Sequence, residues 1–181
     1  MISKIPNLLS IVRIFLIPLI VYGFVNDFFF LSFIFSVLAC LTDLIDGFIA
    51  RKFNYETQTG FYLDAFADKA FILSLYLAIG TKLLLPLYLI IIVIFKDLFI
   101  FGFYILSFLT KTELKLKVSK LSKINTAFQM ILILLILIIE ANILTEINLF
   151  NSLIEVLVFI VGFTTISSLI YYILSWFHEY N

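Results

Sequence analysis

DLIDGFIARKFNYETQTGFYLDAFAD, residues 43–68, is the stretch on which the reading of this chain turns. Four aspartates, Asp43, Asp46, Asp64 and Asp68, stand in or beside segments that are otherwise almost wholly apolar. Asp43 and Asp46 are three residues apart and Asp64 and Asp68 four, so on helices each pair shares one face. Between them lie the small residues Gly47, Ala50 and Gly60 and the cation Arg51. A carboxylate taken out of water is costly unless something pairs with it. One arginine cannot neutralise four aspartates, so the least costly solution is one or two divalent cations. Oxygen ligation by carboxylates alone suits a hard ion, Mg²⁺, Mn²⁺ or Ca²⁺, rather than zinc.

The surroundings of that stretch are those of a membrane protein. Of 181 residues, 64% are hydrophobic and only 13% charged, with a mean hydropathy of +1.19. A soluble domain is nearer half apolar and a quarter charged. The length favours a single domain, residues 1–181. Net charge is zero, and no nucleic-acid partner is expected. The lone Cys40 excludes an intramolecular disulfide. No cleavable signal peptide is expected, because Arg13 interrupts the first apolar run and no small-residue cleavage site follows.

A bilayer core needs roughly 20 apolar residues per helix. Six segments qualify, 8–25, 29–50, 62–81, 84–108, 121–140 and 150–176, so the fold class expected is all-α with six transmembrane helices. Met1 to Ile5 would form a short interfacial segment before Pro6. With six spans, both termini and the loops 51–60 and 110–123 share one side. That side carries Lys4, Arg51, Lys52, Lys111, Lys115, Lys117 and Lys120, against Lys82 alone on the other. The positive-inside rule puts the termini and the aspartates on the cytoplasmic side. Trp176, Tyr171, Tyr172 and Tyr180 fit an aromatic belt, and Glu140 and Glu155 receive no role.

The spacing D-x2-D-G-x2-A-R-x8-G-x3-D-x3-D resembles that of the CDP-alcohol phosphatidyltransferases, with every fixed position filled by Asp43, Asp46, Gly47, Ala50, Arg51, Gly60, Asp64 and Asp68. The resemblance extends to Asn7, Ser10 and Arg13, at three-residue steps, a face that in the family lines the donor phosphates. It implies two divalent cations, Mg²⁺ or Mn²⁺. Asp43, Asp46 and Asp64 would hold one, and Asp43, Asp64 and Asp68 the other, with Asp68 also the general base. Gly47, Arg51 and Thr57, with the region around Asn7, would contact the CDP part of CDP-diacylglycerol. An acceptor hydroxyl would attack the phosphorus bearing diacylglycerol, and CMP would leave. A homodimer is implied as well.

The chemistry is sound on its own terms. Metals held by shared carboxylates clamp a diphosphate and offset its charge. One carboxylate takes the proton of the attacking hydroxyl. Glycines let the nucleotide approach the backbone, and Arg51 supplies a fork of donors for phosphate oxygens. Four intramembrane aspartates would also suit a cation transporter, but the glycines and Arg51 favour phosphate chemistry.

The second half bears on the acceptor. Lys96 and Asp97 fall inside the fourth span, and because adjacent residues do not face one another on a helix, each is expected to meet a neighbouring span or the site. Lys120, Lys123 and Asn125 approach the fifth span from the cytoplasmic side. This half resembles the CMP-forming cardiolipin synthases, in Lys96-Asp97, where that group has Arg-Asp, in SKINTAFQ at 122–129 and in FTT followed by Tyr171-Tyr172. Relatives that use glycerol-3-phosphate usually show Lys-x-Lys-Thr where this chain has Lys123-Ile124-Asn125-Thr126, one cation fewer. The resemblance therefore implies phosphatidylglycerol as acceptor, ahead of glycerol-3-phosphate, in a bacterial or mitochondrial inner membrane.

Overall fold

The computed structural model describes residues 5–53, 58–110, 120–143 and 147–180. Side chains are described for these except 5–6, 46–53, 58–59, 61–62, 103–110, 120, 147–149, 151 and 176–180. Six helices result: α1 Ile5–Val25, α2 Phe29–Phe53, α3 Gln58–Thr81, α4 Leu87–Thr110, α5 Lys120–Glu140 and α6 Ile147–Tyr180. No strand occurs among the described residues. Their limits lie within four residues of the apolar segments read from the sequence. The expected interfacial segment is only partly covered, since Met1 to Lys4 fall outside the described residues and Ile5 already opens α1.

Local chemistry explains where the helices stop. Asp27, Leu83 and Asn142 adopt left-handed backbone angles, φ 64°, 55° and 54°, just past the ends of α1, α3 and α5. At the first of these, Phe28 N–H donates to the Gly23 carbonyl at 2.8 Å and Asp27 N–H to Phe24 at 3.3 Å. The third repeats the pattern, with Ile143 to Ile138 at 3.2 Å and Asn142 to Ile139 at 2.9 Å. Both are Schellman closures, which satisfy carbonyls left over at a helix end. Asp and Asn tolerate this backbone; Leu83 does so at a cost of about 1 kcal/mol. Pro86 then stands at the threshold of α4, its carbonyl accepting from Leu89 and Ile90 at 3.0 and 3.4 Å.

The helices contact one another in the circuit α1–α2–α5–α6–α4–α3 and back to α1, with α3 also touching α5 across it. Phe24, Phe71, Tyr76, Leu89, Leu132 and Val161 fill the interior. Gly23 permits the closest approach: a Cβ there would lie 2.6 Å from Ser32 Oγ, which donates to the Ile20 carbonyl at 2.9 Å and fastens α2 to α1.

Polarity is inverted relative to a soluble protein. Phe15 and Phe159 are 71% and 76% exposed, whereas Arg13 and Lys96 are 0% exposed. An apolar exterior around buried charge suits a lipid solvent. Among the described residues three stretches are long and apolar enough to cross a bilayer, Asn7–Val25, Leu121–Glu140 and Ser152–Ser175, and Phe29–Ile45 is a shorter apolar one. Asp64, Asp68 and Lys69 interrupt α3, and Lys96 and Asp97 interrupt α4. The proposed aromatic belt needs one correction. Tyr171 is exposed but Tyr172 is buried, because adjacent residues on a helix point about 100° apart.

Candidate functional site

Asp43 on α2 meets Asp64 and Asp68 on α3, and one ligand oxygen from each lies within 4.8 Å of the others. Residues 43 and 64 belong to different helices, so the cluster exists only because α2 and α3 are held beside α1. What holds them is Arg13. Its Nη1 is 3.0 Å from Asp43 Oδ1 and 3.2 Å from Asp64 Oδ1, and it bonds Asp68 Oδ1 as well. Ser10, one turn earlier and buried, has a side-chain hydrogen bond with Asp64. Asn7 lies a further turn back, half-buried, and is not among the described partners of the carboxylates.

The electrostatics of this arrangement are unbalanced. Three carboxylates face one guanidinium, a formal deficit of two positive charges. The Arg13 side chain is 0% exposed, while those of Asp43, Asp64 and Asp68 are 28%, 45% and 28% exposed. The carboxylates thus open on one side to whatever approaches, with the guanidinium behind them. Convergent hard oxygens carrying surplus negative charge are the donor set of a divalent cation.

Other expected residues fall around this centre or outside the description. Asp46, Gly47, Ala50 and Arg51 continue α2 beyond Asp43, but their side chains lie outside the described residues, and Thr57 does so entirely. Gly60 is half-buried in the first turn of α3.

The second cluster is built around Asp97, whose Oδ1 accepts from Lys69 Nζ at 2.7 Å and lies 3.0 Å from Lys96 Nζ. The expectation that Lys96 and Asp97 each meet a neighbouring span or the site is therefore only half right. Asp97 reaches α3, but the flexible lysine stem folds back to its neighbour, since both are buried and Asp97 is the anion that meets Lys96 among the described residues. Lys69 is a site residue that the sequence reading missed. Its signal was its place beside Asp68, a cation in an apolar helix that needs an anion somewhere.

Among the remaining acceptor-site residues, Asn125 is fully buried, and its Oδ1 accepts from Thr164 and Thr165 of α6 at 2.8 and 2.9 Å. Lys123 is exposed and does not join it. The Lys120 side chain lies outside the described residues. Glu140 and Glu155 border a cavity of about 300 Å³ with Leu84, Ile136, Ile139 and Ile154, and share no residue with either cluster.

Comparison with known proteins agrees with this geometry. A sequence model of the CDP-alcohol phosphatidyltransferase family matches residues 3–166. The CMP-forming cardiolipin synthase of Rattus norvegicus is 36% identical over 145 residues, covering 71% of this chain and 48% of the relative. A cardiolipin synthase (CMP-forming) / mitochondrial hydrolase fusion protein of Schizosaccharomyces pombe is 33% identical over 184 aligned residues, 92% of this chain and 30% of the relative. The CDP-diacylglycerol–glycerol-3-phosphate 3-phosphatidyltransferase of Rickettsia felis is 32% identical over 131 residues, 71% of each. The chain spans less than half the length of the first two relatives. On the match across residues 3–166 and the carboxylates converging beneath it, the chain belongs to the CDP-alcohol phosphatidyltransferase family.

Proposed function

We propose that the chain transfers a phosphatidyl group from CDP-diacylglycerol to an alcohol, with phosphatidylglycerol as the acceptor and cardiolipin and CMP as products. The observation that carries the reading is the open triad Asp43, Asp64 and Asp68 backed by Arg13. The triad, with Asp46, would hold two divalent cations, Mg²⁺ or Mn²⁺. When bound, such ions offset the charge of the diphosphate and stabilise its displacement. Ser10 and Arg13 fix the carboxylates that face the donor phosphates, with Asn7, Gly47, Ala50, Arg51, Thr57 and Gly60 completing the nucleotide side. Asp68 takes the proton of the acceptor hydroxyl. The new bond joins that oxygen to the phosphorus bearing diacylglycerol, and the bond from that phosphorus to CMP breaks.

All six helices cross the membrane in this reading, as one domain, with the triad near the cytoplasmic surface of a bacterial or mitochondrial inner membrane and the protein acting as a homodimer. Support for a neutral acceptor end comes from Asn125, which is buried with Thr164 and Thr165 as its bonded partners among the described residues, and from the exposure of Lys123. Glycerol-3-phosphate is the second reading, favoured by relatives such as that of Rickettsia felis.

The test is direct. Purified protein with CDP-diacylglycerol and Mn²⁺ or Mg²⁺ is offered phosphatidylglycerol and glycerol-3-phosphate in parallel. CMP release with phosphatidylglycerol is expected, and release with glycerol-3-phosphate alone would replace the first acceptor by the second. Metal flux in proteoliposomes with no CMP would remove the transferase reading altogether.

A further inference from the structure

Beside the turn that joins α3 to α4, the end of α5 and the beginning of α6 leave a cavity of about 300 Å³, lined by Leu84, Ile136, Ile139, Glu140, Ile154 and Glu155. Ile136 is almost wholly buried, Glu140 is half-buried and Glu155 is exposed. The aliphatic side chains therefore form the inner wall and the two carboxylates the mouth. This cavity stands at the opposite end of the bundle from the triad. Asp64 lies near the start of α3 and Leu84 just past its end, roughly 25–30 Å further along the axis.

The charge at the mouth is unbalanced. Neither glutamate has an ion-pair partner among the described residues. The sequence carries no lysine or arginine after Lys123. Lys82, in the turn beside Leu84, bonds Asp27 and stands 5.2 Å from the centre of the Phe29 ring. Glu140 is moreover the last residue of α5, whose final turn holds no basic side chain. A helix C-terminus carries partial negative charge of its own, so an acid there adds to it where a cation would have offset it. Carboxylates set against aliphatic walls call for a positive group.

Size and lining decide which positive group. Two carboxylates fall short of the six to eight oxygens of a Ca²⁺ site, and a hydrated ion would leave four aliphatic side chains facing water. The volume is that of a small-molecule pocket, with apolar walls and a few convergent polar groups. No aromatic ring lines it, so a quaternary ammonium would find no face to stack on. A primary ammonium, with three donors for two carboxylates, suits the mouth. An anionic group on the same molecule would be repelled there.

We infer that this cavity binds a lipophilic amine drawn from the membrane, its ammonium between Glu140 and Glu155 and its alkyl body against Leu84, Ile136, Ile139 and Ile154. The site is separate from the triad and stands whether or not the transferase reading does.

Octylamine, octanol and ethylamine divide the claim into its parts. Purified full-length protein in mild detergent at pH 7 is titrated with each, and the concentration giving half of the maximal melting shift is read. Octylamine is expected to act at least about tenfold below octanol, the value of a charge-assisted hydrogen bond. It should also act at least about tenfold below ethylamine, which lacks six methylenes to bury. Glu140→Gln and Glu155→Gln should each narrow the advantage over octanol, and the double variant should bring it within about twofold. Glu155→Gln changes an exposed side chain and keeps the test open should Glu140→Gln fail to fold. Equal action of octylamine and octanol, or an advantage kept by the double variant, overturns the inference. So does tighter binding of octyltrimethylammonium than of octylamine. Stabilisation by Ca²⁺ alone, lost in the same two variants, would make the mouth a metal site and overturn it as well.

Discussion

Replacing Arg13 by leucine tests whether the carboxylates need a cation as badly as their geometry implies. The wild-type guanidinium is wholly buried against Asp43, Asp64 and Asp68. Its removal raises the formal deficit from two positive charges to three. Breaking a buried pair by deleting one partner costs about 3–5 kcal/mol. Because the three carboxylates are 28–45% exposed, solvent screening brings the expected loss to the lower end, about 3 kcal/mol. At about 2–4 °C per kcal/mol for a chain of this size, detergent-solubilised Arg13→Leu should melt about 6–12 °C below wild type in EDTA. A divalent cation at a hundred times its Kd returns about 2.7 kcal/mol. Titrated Mn²⁺ should therefore restore most of the loss, and should stabilise Arg13→Leu more than wild type, whose guanidinium already meets part of the charge. CMP release should stay low in the variant even where Mn²⁺ restores its melting. Equal melting of the two proteins in EDTA, or equal gains from Mn²⁺, would refute the reasoning.

Asp68→Asn should lower CMP release by about 10²–10⁴-fold, the range of a lost general base, while the protein stays folded; unchanged turnover would move the proton acceptor elsewhere. Asp97→Leu leaves the fully buried Lys96 without an anion and should cost about 3–5 kcal/mol, whereas Lys96→Met with Asp97→Leu should recover most of it. Melting curves of the two variants decide, and equal losses would mean that the pair's charge is not the issue. Gly23→Ala should displace Ser32 Oγ, break its bond to the Ile20 carbonyl and destabilise by about 1 kcal/mol net; adding Ser32→Ala should cancel that cost.

The helices were legible because their apolar runs are long and their ends carry Asn26-Asp27, Pro86 and Asn142, residues with local reasons to stop a helix. The triad was legible for the opposite reason, as acids set where acids are costly. Lys69 was not, because the anion that explains it lies 28 residues further on, and only the packing of α3 on α4 brings the two together. Adjacency misled at Lys96, since the rule about helix faces concerns where Cβ atoms point, and a four-carbon stem can turn back from there. The buried polar side chains of α5 and α6 were half visible. Asn125 stood out beside Lys123, but Gln129 and Ser168 become informative only when the fold leaves their polar atoms without partners.

The two charged clusters are not independent, and α3 is what connects them. Asp68 and Lys69 are neighbours in sequence, close enough that the lysine could have neutralised the triad and left little for a metal ion to bind. Successive residues on a helix diverge by about 100°, which turns Lys69 away, and Asp97 on α4 then holds it at 2.7 Å. That bond keeps a cation out of the triad, so the deficit facing Arg13 stays at two charges, the charge of one Mg²⁺ or Mn²⁺. On this view Asp97 acts on the candidate metal site without touching it. Asp97→Asn should weaken Mn²⁺ binding by releasing Lys69 toward Asp68, and Lys69→Met in the same protein should restore it. Mn²⁺ affinity unchanged by Asp97→Asn would separate the clusters again.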